Sequence, residues 1–359
     1  MNNLHRLAVA AGLALGVASA PADAGTLRYS GIHFFGDSLT DPGNAAALLE
    51  GVRASLSPPL RDLVPPFPPA FPLGKASDGP LWSERIAADF AAAGLRTGNF
   101  AFASAQVGPD EPIFPLLPGV SINLPSQIRR FQAATPGPLP GNDVAVFWIG
   151  NNDMLGLIGG AGLTPDNDLS PADRDTLAAQ AAGLAGLVVD AAALLRPHGI
   201  EDFVFLKLPD FGLIPRFNLP DPFGDPARAG VASLGAELFN DALADAVEDL
   251  AGMGARTALF DFDMALRAAL ADPAALGVEF AGLPCLAIIG LTPSIADLAQ
   301  CSEHFFYDDI HPTAALHAVL ADEFRRFVHV QPIPLPAAGW LLLVAVAGLG
   351  GLGRARRRA

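Results

Sequence analysis

The sequence predicts an α/β protein in which a parallel, doubly wound sheet carries helices on both faces. Short apolar runs with the length and composition of buried strands recur along the chain, and longer stretches typical of helices lie between them. The run at 143–149 is apolar throughout after its first residue, as expected of a parallel strand buried on both faces. Residues 28–329 show no repeat and are expected to form one domain with long insertions.

Five strands and six helices are expected. The strands are predicted at 32–36, 97–103, 143–149, 203–208 and 257–262, and the helices at 45–54, 82–93, 125–134, 171–195, 234–253 and 313–328. Two proline-rich stretches, 57–74 and 107–125, are expected to be loops, because proline lacks the backbone N–H that helices and central strands need. We expect the first of these loops to border the mouth of a site.

Charge narrows the choice of partners. The chain has 359 residues and a formal net charge of -15, although four arginines stand among its last six residues. A body this acidic, without a basic patch, argues against nucleic acid as a partner. The acidity is better explained by solubility than by a specific cationic partner.

Both ends of the chain carry export or anchoring signals. Residues 1–24 have a short basic start, an apolar run and small residues up to Ala24, which predicts a signal peptide cleaved near Ala24. Cleavage after Ala20 and a retained membrane anchor are the alternatives. The signal predicts export, to the cell surface, the membrane or the medium. The domain is expected at 25–330.

A proline-rich linker at 331–338 and an apolar segment with an arginine tail at 339–359 are expected to follow. The apolar segment followed by positive charge predicts membrane contact. The linker's Ile-Pro-Leu-Pro-Ala resembles the PEP-CTERM class of sorting signals, found in exported proteins of Gram-negative bacteria. That resemblance implies a Gram-negative-type cell and a membrane sorting protease as a partner, and a simple anchor is the alternative.

Two cysteines, Cys285 and Cys301, are the only ones in the chain. In an exported protein they either pair across a short loop or remain two buried thiols. No Cys-x-x-Cys or His-Glu-x-x-His spacing occurs, so no metal site is expected.

A serine at the tip of the first strand is the first candidate nucleophile. The run that begins at Ile32 ends in Gly-Asp-Ser, with Ser38 where open α/β sheets place their ligand sites. The alternative is a turn that only caps the next helix. A nucleophile would also need a base, an orienting acid and donors for an oxyanion.

The most suitable base is His311, which stands in a loop just before the last helix. An acid three residues earlier, Asp308, has the spacing to fold back onto the imidazole and fix its tautomer, and Asp309 is the competing candidate. The alternative is a helix-capping region around Thr313 with acids that face solvent.

An oxyanion donor is expected in the turn Gly-Asn-Asn-Asp at 150–153. It follows the third strand and should therefore lie beside the tip of the first strand, where a carboxamide can donate to a developing oxyanion. Alone, such a sequence is typical of an ordinary turn.

The three blocks together resemble the GDSL, or SGNH, hydrolase family, in their order and in their separation. The resemblance covers about residues 28–329, and the Asp-Gly-Pro-Leu-Trp at 78–82 is similar to the plant-lipase-like and bacterial lecithinase/haemolysin branch. It implies a three-layer α/β/α sandwich with five parallel strands in flavodoxin-like order. It also implies an enzyme that needs no cofactor.

The resemblance implies a role for each site residue. Ser38 is the nucleophile, His311 the base and then the acid, and Asp308 its orienter. The backbone N–H of Ser38 and the Asn152 amide are oxyanion donors, with Asp37 and Gly150 in support. The family usually carries a glycine as third donor in its second block, whereas this chain has no glycine at 99–105. Ser104 matches that position, and its donor is either intact, shifted or lost.

The predicted function is hydrolysis of carboxylic esters by an exported serine esterase or lipase. Acyl transfer at the same site and an inactive binding or attachment protein of the same fold are the alternatives. We expect lipid or fatty-acyl esters rather than acetylated sugars, because Phe67, Phe71 and Phe114 lie in the proline-rich loops, where they either line an acyl site or pack beneath the loops.

Overall fold

The computed structural model describes residues 26–27, 29–112, 119–221, 224–328 and 330–331. The predicted signal peptide, the segment from 332 onward and Phe114 lie outside the described residues. The chain divides into two units. In one, strand β1 (Thr26–Leu27) pairs antiparallel with β7 (Val330–Gln331), so Gln331, the first residue of the predicted linker, belongs to a strand. The other unit spans Tyr29–His329.

Five strands of this larger unit form one parallel sheet. They are β2 (Gly31–Gly36), β3 (Arg96–Asn99), β4 (Asp143–Trp148), β5 (Asp202–Leu206) and β6 (Arg256–Phe260). Their order in the sheet is β3-β2-β4-β5-β6. Strand β3 therefore lies at one edge, and β2, the first of the five in sequence, lies between β3 and β4. This is the flavodoxin-like order, and the predicted fold class is confirmed.

Helices lie on both faces of the sheet. They are α1 (Asn44–Ser55), α2 (Pro58–Arg61), α3 (Trp82–Ala92), α4 (Leu124–Ala134), α5 (Asn151–Gly160), α6 (Pro171–Ala193), α7 (Pro215–Asn218), α8 (Ala229–Gly252), α9 (Asp263–Ala271), α10 (Leu286–Ile289) and α11 (Ala314–Phe327). On one face α4 contacts β2, α8 contacts β6, and α6 packs against both helices. On the other, α3 contacts β2 and β3, and α11 packs on α3 and α9.

Alternate side chains of β2 enter the two halves of the core. Phe34 meets Trp82 of α3 edge to face, with ring centroids 5.4 Å apart. Phe35 points the other way, stacks on Phe147 of β4 and meets Phe131 of α4. Because both faces of the strand are covered, its sequence is continuously apolar and shows no alternation.

Three expectations about local structure were wrong. The proline-rich loop contains a one-turn helix, α2, because Pro58 and Pro59 occupy the first helical positions, where no N–H is needed. The 150–153 turn opens the helix α5. The edge strand β3 ends at Asn99 rather than at 103, since the Gly36 N–H, which would extend the pairing of β2 with β3, donates to Gln127 Oε1 instead.

Candidate active site

Three side chains meet in a continuous chain of hydrogen bonds at the carboxyl edge of the sheet. Ser38 Oγ lies 2.8 Å from His311 Nε2, and His311 Nδ1 lies 2.7 Å from Asp308 Oδ2. The serine and the histidine are 273 residues apart in sequence. The geometry therefore brings together at one point the three residues predicted to be nucleophile, base and orienting acid.

The turn after β2 presents Ser38. The backbone N–H groups of Thr40 and Asp41 both donate to the carbonyl of Asp37, which closes a tight turn around the serine. The indole of Trp82 donates to the carbonyl of Leu39 at 3.1 Å and ties the turn to helix α3. This stabilises the serine at the strand tip.

Asp308 and Asp309 differ in where their carboxylates point. The second oxygen of Asp308 accepts the backbone N–H groups of Ile310 and His311, at 2.8 and 2.7 Å, so the loop folds around this carboxylate. The Asp309 carboxylate instead pairs with Arg216, with 2.8 Å between Nε and Oδ2. Of these two carboxylates, that of Asp308 is the one that contacts the imidazole.

The stretch 77–79 holds the loop that carries His311. Ser77 Oγ donates to the carbonyl of Pro312 at 3.0 Å, and the Ala314 N–H, at the start of α11, donates to Asp78 Oδ1 at 2.6 Å. A side chain at Gly79 would place its Cβ 2.9 Å from that of Ala314. These contacts give the Asp-Gly-Pro stretch a structural role in supporting the loop that carries His311.

The charges of the pair shift both pKa values. Burial alone would lower the pKa of His311, but the charge of Asp308 and their hydrogen bond outweigh it and raise that pKa above 6.5. Burial alone would raise the pKa of Asp308, whereas His311 and the two backbone donors lower it. The acid therefore stays ionised and stabilises a protonated imidazole.

The three predicted oxyanion donors belong to the serine's turn and to two segments that are hydrogen-bonded to that turn. Within the part of the chain that the structure describes, the N–H groups of Ser38 and Ser104 have no hydrogen-bond partner. Asn152 Nδ2 donates to the carbonyl of Ala105 at 2.9 Å, which leaves its second hydrogen unused. Ser104 has a φ of 67°, a left-handed conformation that glycine usually provides. The serine thus keeps a glycine-like backbone at the position where the sequence departs from the family.

Asp37 and Gly150 support the turns that carry these donors. Asp37 is fully buried and accepts the Asn151 amide at 2.9 Å and the Leu39 N–H at 3.1 Å. Burial raises the pKa of Asp37 to about 6. Gly150 has a φ of 110°, and a Cβ there would lie 2.8 Å from the ring of Phe239. A residue with a side chain would therefore displace the start of α5.

Sequence reasoning missed three residues that hold the site together. Asn151 ties Asp37 to α5. The Gln127 amide donates to the carbonyl of Gly36 and accepts its N–H, at 2.8 and 2.9 Å. Asp41 accepts the N–H of Ala103 and those of 43–45 and so joins the serine's block to the second block. No local signal marks Gln127, whereas Asp41 stands in the family's first block.

The first proline-rich loop contacts His311. The Phe71 ring meets His311 edge-on, with centroids 5.9 Å apart, and also packs on Tyr307. Cys285 and Cys301 form a disulfide, and this bridge packs in one apolar cluster with Tyr307, beside Phe71. The loop therefore borders the site, although Phe71 also packs inward.

A serine, a histidine and an acid hydrogen-bonded in series at the carboxyl edge of an α/β sheet are typical of ester-hydrolysing enzymes, and a sequence comparison identifies the family. A sequence model of the GDSL-like Lipase/Acylhydrolase family matches residues 32–324. The chain belongs to this family and is an enzyme that acts on ester bonds, so both predictions are confirmed. The family's description, lipase or acylhydrolase, names enzymes that act on acyl esters.

Individual proteins are similar to the chain at lower identity. The phosphatidylcholine-sterol acyltransferase of Aeromonas hydrophila is 24% identical over 349 residues, which cover 84% of this chain and 91% of that protein. LAE5, an α/β hydrolase enzyme from the metagenome of Lake Arreo, is 15% identical, covers 84% of this chain and 96% of its own, and has a TM-score of 0.38. Phospholipase A1 from Streptomyces albidoflavus NA297 is 16% identical, with coverages of 82% and 98% and a TM-score of 0.38. Both TM-scores lie below 0.5, and the family assignment rests on the sequence match.

Proposed function

We propose that the chain hydrolyses lipid or fatty-acyl esters, with Ser38 as nucleophile, His311 as base and Asp308 as orienting acid. The observation that carries the proposal is the unbroken chain of contacts from Ser38 Oγ through His311 to the Asp308 carboxylate. The family description supports the acyl-ester substrate.

The proposed reaction has two halves. Ser38 Oγ attacks the ester carbonyl carbon while its proton passes to His311 Nε2, and Asp308 stabilises the imidazolium. The negative oxygen accepts hydrogen bonds from the Ser38 and Ser104 N–H groups and from the Asn152 amide. His311 protonates the leaving alcohol, and the acyl group remains on Ser38. A water molecule then gives a proton to His311 and attacks the acyl-enzyme, and His311 returns that proton to Ser38 Oγ as the bond to the acyl group breaks and the acid leaves.

A serine-reactive fluorophosphonate tests the nucleophile. The folded wild-type protein is expected to be labelled, and Ser38→Ala is expected to abolish the label without changing the circular dichroism spectrum. An unlabelled wild type, or a Ser38→Ala variant labelled as strongly as the wild type, would contradict the proposal and favour an inactive binding protein of the same fold.

Acyl transfer to an alcohol other than water is the second candidate. It is favoured by the 24% identity to a protein named as an acyltransferase. The two reactions share the acyl-enzyme and differ only in the acceptor. Phosphatidylcholine vesicles with and without cholesterol, analysed for free fatty acid and cholesteryl ester, separate them. Hydrolysis predicts that fatty acid remains the main product when cholesterol is present.

We propose further that the protein is exported. The Cys285–Cys301 disulfide supports this, because disulfides persist in oxidising compartments. The pattern of residues 1–24 adds to it. The proposal includes membrane contact and cleavage by a sorting protease at the C-terminal segment. Cell fractionation with mass spectrometry of both termini tests it, and an intact cytoplasmic chain with free thiols would contradict it.

A further inference from the structure

An open groove runs between helices α5 and α6 and begins beside the proposed oxyanion donors. Its volume is about 480 Å³, and Gln106 and Asp153 line its near end. A second cavity of about 310 Å³ shares Gly156 and Leu157 with the first and continues along the same helices to Gly160. From 153 to 160, the groove follows α5 for about 10 Å, at ~1.5 Å per residue.

The near end of the groove is tied to the reactive centre. Gln106 follows Ala105, whose carbonyl accepts the Asn152 amide, and Asp153 follows Asn152 itself. The Asp153 carboxylate accepts the Val107 N–H at 3.1 Å and is thereby turned toward the backbone. A substrate carbonyl held by Asn152 would therefore have the groove directly beside it.

The walls of the groove suit a hydrocarbon chain. Leu157, Leu184 and Leu187 supply apolar surface, and Leu187 is 45% exposed. Helix α6 belongs to a segment, 171–198, apolar enough by composition to cross a membrane, yet only 39% of its most apolar window is buried. The groove has no cationic lining residue in the part of the chain that the structure describes, so nothing there favours a phosphate or carboxylate.

Glycines keep the groove open. Gly156 on α5 and Gly183 on α6 both line it, and a Cβ added at either position would meet nothing within 4 Å. Each helix also carries a glycine outside the groove, Gly159 and Gly186, where an added Cβ likewise meets nothing. The same substitution can therefore be made inside and outside the groove on each helix.

We propose that this groove binds the acyl chain of the ester and sets the chain length that the enzyme prefers. The inference rests on the proposed function, in which Ser38 is the nucleophile and Asn152 an oxyanion donor. Burial of a methylene is worth at most about fourfold in kcat/KM, and less in an open groove, so long chains should be favoured in proportion to the length of groove they fill.

Gly183→Leu and Gly156→Leu are designed to block the groove, with Gly186→Leu and Gly159→Leu as matched controls. Leucine is the better helix former, so all four variants are expected to fold. The measurement is the ratio of kcat/KM for p-nitrophenyl laurate to that for p-nitrophenyl acetate. Each groove variant should lower the ratio about tenfold, the equivalent of roughly two buried methylenes, and each control should keep it within about twofold. An unchanged ratio in the groove variants, or an equal fall in the controls, would overturn the inference.

Binding of laurate to Ser38→Ala, measured by calorimetry, separates this inference from the proposed function. Gly183→Leu in that background should weaken binding about tenfold, and Gly186→Leu should not. If wild type hydrolyses neither ester while Gly183→Leu weakens laurate binding, the proposed function is wrong and the groove is still supported as an acyl-chain site. If wild type hydrolyses both esters and Gly183→Leu leaves laurate binding unchanged, the inference about the groove is wrong and the proposed function is retained.

Discussion

Replacing Asp308 with asparagine tests the proposed triad most directly. Asparagine can still accept the two backbone N–H groups through its oxygen, so the loop should keep its shape. Its amide nitrogen would then face His311 Nδ1, where the carboxylate now lies at 2.7 Å. A donor at that place forces Nδ1 to accept, which puts the ring proton on Nε2, toward Ser38 Oγ. In that tautomer the imidazole cannot take the serine's proton.

The expected loss is about 10³–10⁴ in kcat, which corresponds to roughly 4–5.5 kcal/mol of transition-state stabilisation. The assay is hydrolysis of a p-nitrophenyl ester under saturating conditions across pH. In wild type, kcat/KM should fall as the pH drops below the raised pKa of His311, because the base must be neutral. Asp308 is the main group that raises this pKa, so any residual activity of Asp308→Asn should persist to lower pH.

Asp309→Asn is the matched control for this variant. Its carboxylate pairs with Arg216, and both side chains are more than a third exposed, so the pair contributes about 0–1 kcal/mol to stability. Activity should stay within about twofold of wild type. The reasoning is refuted if Asp308→Asn keeps more than about a tenth of wild-type kcat, or if Asp309→Asn loses as much as Asp308→Asn.

Three further variants have defined outcomes. Ser104→Gly should keep kcat/KM within about threefold and change the free energy of unfolding by less than about 1 kcal/mol. The substitution relieves the strain of a left-handed serine, but it also makes the unfolded chain more flexible, and the two effects offset each other. A large loss of activity would show that the serine hydroxyl itself takes part in the reaction. Gly150→Ala should cost about 2–4 kcal/mol in chemical denaturation, from its φ of 110° and the Phe239 contact, and wild-type stability would contradict that geometry. Replacing Cys285 and Cys301 by serine should cost about 3 kcal/mol, since the bridge closes a loop with a sequence separation of 16, and an unchanged denaturation midpoint would show that the bridge contributes nothing.

The fold could be predicted from the sequence because its signals are local and repeated. Each strand in the middle of the sheet is buried on both faces, and its apolar run is therefore continuous and easily recognised. The weakest boundary fell on the edge strand β3, where the Gly36 N–H that would extend the pairing donates to the Gln127 side chain instead. That contact joins residues 91 positions apart, and no local pattern reports it.

Within the candidate site, the choice between adjacent residues required the structure. Asp308 and Asp309 are the same residue type, but the Asp308 carboxylate faces His311 and the Asp309 carboxylate faces Arg216. Asn151 and Asn152 likewise differ, since the first amide binds Asp37 and the second the carbonyl of Ala105. Neighbours in a turn point in different directions, which backbone dihedral angles decide and residue types do not. The proposed roles of these residues stay predictions until the variants are measured.

Ser104 shows how the surrounding contacts can hold a residue that breaks a local rule. A left-handed serine costs roughly 1–2 kcal/mol relative to ordinary backbone, and such strain persists only where neighbours fix the loop. Here they do, because the N–H of Ala103 donates to Asp41 at 2.7 Å and that of Ala105 donates to the carbonyl of Phe102 at 3.1 Å. With both flanking residues anchored, the peptide between them has little freedom to relax. The N–H of Ser104 is thereby left unpaired beside the reactive serine's turn, which is the arrangement an oxyanion donor needs before substrate arrives.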